Sequence, residues 1–198
     1  MDLSEEVQKT RRADYPIHPL ILNRWSPRAM TGEPLSDEEL KPLFEAARWA
    51  PSSSNAQPWR FLYVKRETSY WNRLFDLLVD FNKEWCKNAA VLGLVFSRMT
   101  LEKNNKPSRT HVYDTGAAWE NFCLEGTRRG LVVHGMEGFD YDKARTQLKI
   151  PDDYQVEAMA AIGKPGQKDD LPPALQAREF PNDRKPQAEF VFEGSFKA

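Results

Sequence analysis

Apolar residues recur at helical spacing through Leu40, Leu43, Phe44 and Ala47, behind a Ser36-Asp37-Glu38-Glu39 start that has the form of a capping box. This predicts a helix running up to Pro51, with Pro42 as the residue that must bend or break it. FLYV (61–64) and VLGLVF (91–96) are short unbroken apolar runs and predict buried strands, with a helical repeat of Trp71, Leu74, Phe75, Leu78 and Val79 between them. Asp114 is placed to cap a long helix, DTGAAWENFCLEGTRRG, which Gly130 would end. LVVH and QVEAMAAIG predict two more strands around a helical DYDKARTQLKI. Residues 1–19 are polar and proline-punctuated, an arm that must pack on something or stay mobile, ahead of a single domain over 20–198. The tail from Lys168 to Lys185 is charged and proline-rich, and leads into the apolar EFVF. Interleaved helices and strands predict an α/β or α+β sandwich of helices on a sheet.

A chain of 198 residues, 40% hydrophobic and 29% charged, can bury one sizeable core. Six Trp and eleven Phe supply enough aromatic surface for deep cavities or large subunit contacts. A formal net charge of −1 argues against a nucleic-acid partner, which would select a basic face. Cys86 and Cys123 sit in apolar or amphipathic segments without metal-ligand spacing, so they read as buried thiols and no metal site is expected. The longest apolar run, Ala89 to Phe96, is far too short to span a membrane, and the N-terminus carries no apolar stretch; the expectation is a cytoplasmic protein with no membrane partner.

No GxGxxG opens a helix after a strand, and GxxxxGK[ST], HExxH and GxSxG are also missing, so neither a Rossmann dinucleotide site nor a phosphate loop is expected. A ligand must then be held by scattered residues. Arg24-Trp25-Ser26-Pro27-Arg28 offers two guanidiniums around a hydroxyl on a stiffened segment, able to grip a phosphate bidentately; the alternative is a surface arginine pair before a turn.

Taken in order, RWSPR, PSSSNAQPW, GLVVHGMEGFD and the late Arg184-Lys185 resemble the nitroreductase family of FMN-dependent NAD(P)H oxidoreductases, from about Ile17 to Phe196. The resemblance implies a central, mostly antiparallel sheet flanked by helices in an intertwined homodimer. It implies that Arg24, Trp25, Ser26 and Arg28 bind FMN, with Arg24 on the phosphate and Arg28 near the pyrimidine ring, where opposite charge would favour the reduced flavin. Arg184, with Lys185, matches the basic residue that closes the phosphate site. Pro51, Ser52, Ser53, Asn55 and Gln57 match a loop at the dimer interface that reaches the flavin of the other subunit; short side chains there let backbone approach the ring edge. Met136, Glu137 and Gly138 match a loop beside the isoalloxazine, where the main-chain N–H of Glu137 would face flavin N5. His134 is a proton donor, or else a merely structural or ribityl-contacting histidine.

Asn82 matches a position near the pyrimidine, but Trp85 stands where one branch of the family has a lysine, leaving Lys87 or Arg28 alone to stabilise N1. The polar stretch 98–112 lacks periodicity and reads as a candidate lid over the site. The implied chemistry is two-step: NADH or NADPH reduces FMN, then a nitroaromatic, quinone or similar small-molecule acceptor takes two electrons, with no catalytic side chain required. An FMN-binding storage or regulatory module with little turnover is the alternative.

Overall fold

The computed structural model describes residues 1–196. In chain order the elements are α1 (Glu5–Thr10), α2 (Pro19–Asn23), α3 (Asp37–Arg48), β1 (Trp59–Lys65), α4 (Trp71–Phe75), α5 (Asp80–Cys86), β2 (Val91–Arg98), α6 (His111–Arg128), β3 (Val132–Met136), α7 (Tyr141–Leu148), β4 (Tyr154–Gly163) and α8 (Pro173–Gln176). The four strands form one antiparallel sheet in the order β1-β2-β4-β3.

Side-chain alternation sorts the sheet into two packed faces. Leu92, Leu94, Phe96, Met159, Ala161, Val132 and Met136 point to a core completed by Leu74, Trp85 and Cys86 from α4 and α5. Val91, Ala160, Ile162 and Val133 point the other way, onto Leu40, Leu43 and Ala47 of α3 and Ala118, Phe122 and Cys123 of α6. Strand β2 is buried along nearly its whole length because it lies inside the sheet with helices on both faces, which is why its sequence shows no polar alternation. Strand β1 was expected to be buried as well, but it is an edge strand with Arg60 exposed and Tyr63 40% exposed.

The capping box of α3 forms as expected, with Glu39 N–H donating to Ser36 Oγ at 3.2 Å and Ser36 N–H to Glu39 Oε2 at 2.8 Å. The helix runs continuously past Pro42. Helix α6 begins one turn before the expected Asp114 cap: Thr110 precedes its first residue, and Asp114 lies buried inside the first turn. Gly130 takes φ +71° and ends the region of α6, with Leu131 N–H donating to Gly126 O at 2.9 Å.

The N-terminal arm packs down. Val7 of α1 is 1% exposed, and Asn23 both accepts from Ser4 N–H and donates to Asp2 O. The stretch 98–112 closes on itself through a Thr100–Pro107 bridge and runs into α6. At the other end, Phe190 and Val191 of EFVF are about three-fifths exposed and take no part in the sheet.

Candidate functional site

Helix α2 ends at Asn23, and the chain leaves it in an extended conformation at Arg24. This segment is stapled to distant parts of the chain: Thr31 N–H donates to Lys164 O, Gly166 N–H to Ala29 O, and Arg28 and Ala29 N–H both to Glu179 Oε1 at 2.6 and 2.9 Å. The Glu179 side chain is 4% exposed and also faces Arg28 Nη1 at 3.6 Å. One buried carboxylate thus fixes both the backbone and the guanidinium of Arg28, its charge offset by that cation.

Around this staple lies a cavity of about 360 Å³ whose wall contains Arg11, Arg24, Arg28, Arg178 and Arg184, together with Ser26 and His134. Arg24 is held by Glu120 at 3.7 Å and reaches Ser26 Oγ at 3.4 Å, while Arg184 bonds the carbonyls of Asn182 and Asp183. Arg28 Nε is buried with no hydrogen-bond acceptor among the described residues. A larger cavity of about 540 Å³ shares Trp25 with it, but among the described residues Lys168 is its one Lys or Arg against Glu6 and Glu179, so it is not built for an anion. Trp25 lines both. Lys185 stands outside the arginine cavity, 79% exposed and paired with Glu189, and lines a neighbouring cavity that shares Arg11, Arg24 and Arg184.

His134 lies on β3 facing the α5 side of the sheet, its ring centroid 4.6 Å from that of Trp85. Nδ1 donates to Pro27 O at 2.9 Å, tying β3 to the arginine segment. Burial, reinforced by the Arg28 and Arg24 cations, pushes the imidazole down to about 4 against the pull of its carbonyl partners. The ring is therefore neutral near neutral pH. Its bond to Pro27 O makes His134 a tie between β3 and the arginine segment.

Strand β3 continues through Gly135 and Met136, so the expected glycine-rich loop is shorter than GMEG and begins at Glu137. Gly135 faces the α6 side, where a Cβ would stand 2.8 Å from the Trp119 ring and displace that indole. Gly138 O accepts from Asn82 Nδ2 at 3.0 Å and from Val79 N–H at 3.1 Å, and Asn82 Oδ1 accepts from Trp85 Nε1 at 3.3 Å. Asn82 is buried and both ends of its amide are engaged. Trp85, where the sequence departs from one family branch, is the partner that orients it.

The PSSSN segment stands apart from the arginines at the start of α6. Ser53 N–H donates to Asp114 Oδ2 at 3.1 Å, and Gln57 N–H to Ser52 Oγ at 3.1 Å. Ser54, Asn55 and Gln57 take φ of 52°, 54° and 47°. Left-handed backbone at three non-glycine residues costs roughly 1 kcal/mol or more each and concentrates at functional loops. In a single chain, then, Arg24, Trp25, Ser26, Arg28, His134 and Arg184 converge on one cavity. Asn82, Met136, Glu137 and Gly138 meet at the end of β3, and Pro51, Ser52, Ser53, Asn55 and Gln57 lie elsewhere.

Sequence patterns missed Arg11, Arg178 and Glu179, and read Asp114 only as a helix cap, not as the anchor of the PSSSN loop. Arg11, Glu179 and Asp114 bond residues far away in the chain, which no local spacing marks.

A family model described as the nitroreductase family matches residues 21–84 and 71–164. The chain belongs to the nitroreductase family. Nitrobenzene nitroreductase of Ectopseudomonas oleovorans is 43% identical, with 74% of this chain and 86% of that protein covered. A protein of Archaeoglobus fulgidus, assigned by its name to the NADH dehydrogenase/NAD(P)H nitroreductases, is 27% identical over 77% and 87%. Among solved structures, one described as an oxidoreductase containing FMN superposes with a TM-score of 0.90 at 44% identity, covering 94% of this chain and 96% of that one. The two spans matched by the family model take in the arginine segment, the strained loop and the β3 end.

Proposed function

We propose that this nitroreductase-family chain is an FMN-dependent oxidoreductase that takes electrons from NADH or NADPH and passes them to a nitroaromatic, quinone or similar small-molecule acceptor, in two successive half-reactions at one pocket. The observation that carries the reading is the convergence of five guanidiniums on one cavity against two ion-paired carboxylates among the described residues, Glu120 and Glu179. That excess of fork-shaped donors fits a phosphate monoester, and the buried, unpartnered Nε of Arg28 shows that the set is not satisfied internally.

FMN, when bound, supplies a flavin N5 that accepts hydride from the nicotinamide and then gives up two electrons to the acceptor. The protein's own residues do the rest. Arg24 and Arg184 would hold the phosphate, with Ser26 adding a hydroxyl, and Arg28, in the wall of the same cavity, would face the pyrimidine ring. Neutral His134 holds the arginine segment against β3. Asn82 and Val79 pin Gly138 O, leaving the Glu137 N–H, which donates to no described acceptor, free to point at the ring. Catalysis on this reading is positioning, and no side chain acts as nucleophile or metal ligand.

The strained PSSSN loop fits a homodimer in which it completes the site of the partner subunit, and the exposed Trp49, Tyr113, Phe190 and Val191 supply apolar surface for such a contact. An FMN-loaded, active monomer in sedimentation would remove this part of the reading.

The purified chain should bind FMN and show its absorbance. Added NADH or NADPH should bleach that band within seconds, and a quinone or nitroaromatic should restore it. A flavin that is bound but never bleached would point to a storage module, and a chain that takes up no FMN would refute the proposal.

A further inference from the structure

The N-terminal arm belongs to the site. Helix α1 is only six residues long, too short to hold itself, yet it is fixed at both ends. Arg11, immediately after it, donates Nη1 to Leu22 O at 2.5 Å and to Arg24 O at 2.8 Å, and Nε to Asn182 O at 2.9 Å. Arg12 N–H donates to Asp183 Oδ1, and Gln187 N–H to Asp14 Oδ2. The arm is thus zipped between the segment that carries Arg24 and the one that carries Arg184.

Every hydrogen bond made by the Arg11 guanidinium goes to a carbonyl, so its charge is not neutralised, and it forms part of the wall of the arginine cavity. Burial lowers its pKa most; the like charges of Arg184 and Arg24 lower it further, and Asp183 offsets them only in part, leaving it at about 10. The group is a cation held against cations. A dianion between them would turn this repulsion into attraction.

We propose that Arg11 makes the N-terminal arm a working part of the phosphate cradle, both tying the Arg24 and Arg184 segments together and supplying charge that selects a phosphorylated flavin over one without phosphate. This rests on the FMN reading above, and deepens it. Arg11 acts as a positioning residue: it sets the geometry and potential in which Arg24 and Arg184 meet the phosphate. The arm should in turn be more tightly closed when the phosphate is present.

The test compares FMN with riboflavin, which shares the ring and ribityl chain and lacks only the phosphate. Dissociation constants would be measured on apoprotein by quenching of flavin fluorescence, for wild type, Arg11→Gln and Arg11→Lys. Arg11→Gln should cut the preference for FMN over riboflavin by about tenfold or more while riboflavin affinity stays within about twofold, with Arg11→Lys falling between. In the wild type, FMN should slow tryptic cleavage after Lys9 and Arg12, and riboflavin should not.

An unchanged preference in Arg11→Gln overturns the proposal. So does a parallel loss of both flavins in both variants, which would mean that Arg11 acts only through the fold, and so does equal protection of the arm by the two flavins. Wild-type protein that binds neither flavin removes the cofactor reading itself, a different result from any of these.

Discussion

Ser53 N–H donates to Asp114 Oδ2 at 3.1 Å, joining the strained PSSSN loop to the first turn of α6. Asp114 is 3% exposed, and the same oxygen accepts from Thr110 Oγ1 at 3.0 Å. A buried carboxylate near a helix N-terminus is favoured by the helix dipole, so the loop is anchored by a group that is itself well held. Positive φ at Ser54, Asn55 and Gln57 costs free energy that this anchor must offset.

Replacing Asp114 by Ala leaves the Ser53 N–H and the Thr110 hydroxyl without their acceptor. We expect Asp114→Ala to lose about 1–3 kcal/mol of stability and Asp114→Asn, which keeps one acceptor oxygen, to lose less. If the loop serves the partner's site, NAD(P)H oxidation per bound FMN should fall further than the shift in thermal midpoint accounts for. Equal activity per flavin in wild type and Asp114→Ala would show that the loop's course does not matter to turnover.

Asp114 also marks where sequence reading stopped. Its identity as a helix-start residue was legible, but the helix begins earlier, at His111, inside a polar stretch with no periodicity to show it. The central strand VLGLVF was legible as an unbroken apolar run and the apolar face of α3 by its helical period, because burial marks local sequence in both cases. The edge position of β1 was not, because strand order depends on which partners a strand finds. Within the site, RWSPR was legible as a dense local cluster. Arg11, Arg178 and Glu179 were not: Arg11 meets Asn182 across 171 positions and Glu179 meets Arg28 across 151, and nothing local encodes such pairings.

Arg24 lines the arginine cavity with a side chain 19% exposed, whereas Lys185 is 79% exposed beside Glu189. Arg24→Ala should therefore weaken FMN binding by about 2 kcal/mol or more, and Lys185→Ala by about 1 kcal/mol or less. Equilibrium titration of the two apoproteins with FMN checks this. Equal dissociation constants would reassign the phosphate contacts.

His134 gives a signed pH dependence. Its pKa falls from 6.5 in the unfolded chain to about 4 in the fold, chiefly through burial, so between these values the unfolded state holds the extra proton. The stability this group contributes is present above pH 6.5 and is lost as pH falls toward 4, with a slope of at most about 1.4 kcal/mol per pH unit. Denaturant unfolding of apoprotein from pH 7 to 5 should show a steeper loss in wild type than in His134→Gln. Parallel curves would mean that His134 titrates normally in the fold. The rate of flavin reduction should likewise show no ionisation near 6.5 that His134→Gln abolishes.

Glu137 is exposed on a turn that closes by Phe139 N–H donating to Glu137 O at 2.8 Å. Gly138 beside it is held by its carbonyl, and a Cβ there would stand 2.5 Å from Asn82 Nδ2, so glycine is what lets the turn sit tight on α5. This geometry orients backbone and leaves the carboxylate in solvent. A carboxylate turned toward a ring that gains negative charge on reduction would also oppose that reduction. Glu137→Gln and Glu137→Ala should retain FMN and most of the rate of flavin reduction by NAD(P)H, while Glu137→Pro, which deletes the N–H, should lose it. Because proline also perturbs the turn, the comparison belongs in stopped-flow experiments on variants matched for FMN content. If Glu137→Gln slows as far as Glu137→Pro at full flavin occupancy, the carboxylate takes part in the chemistry and the main-chain assignment fails.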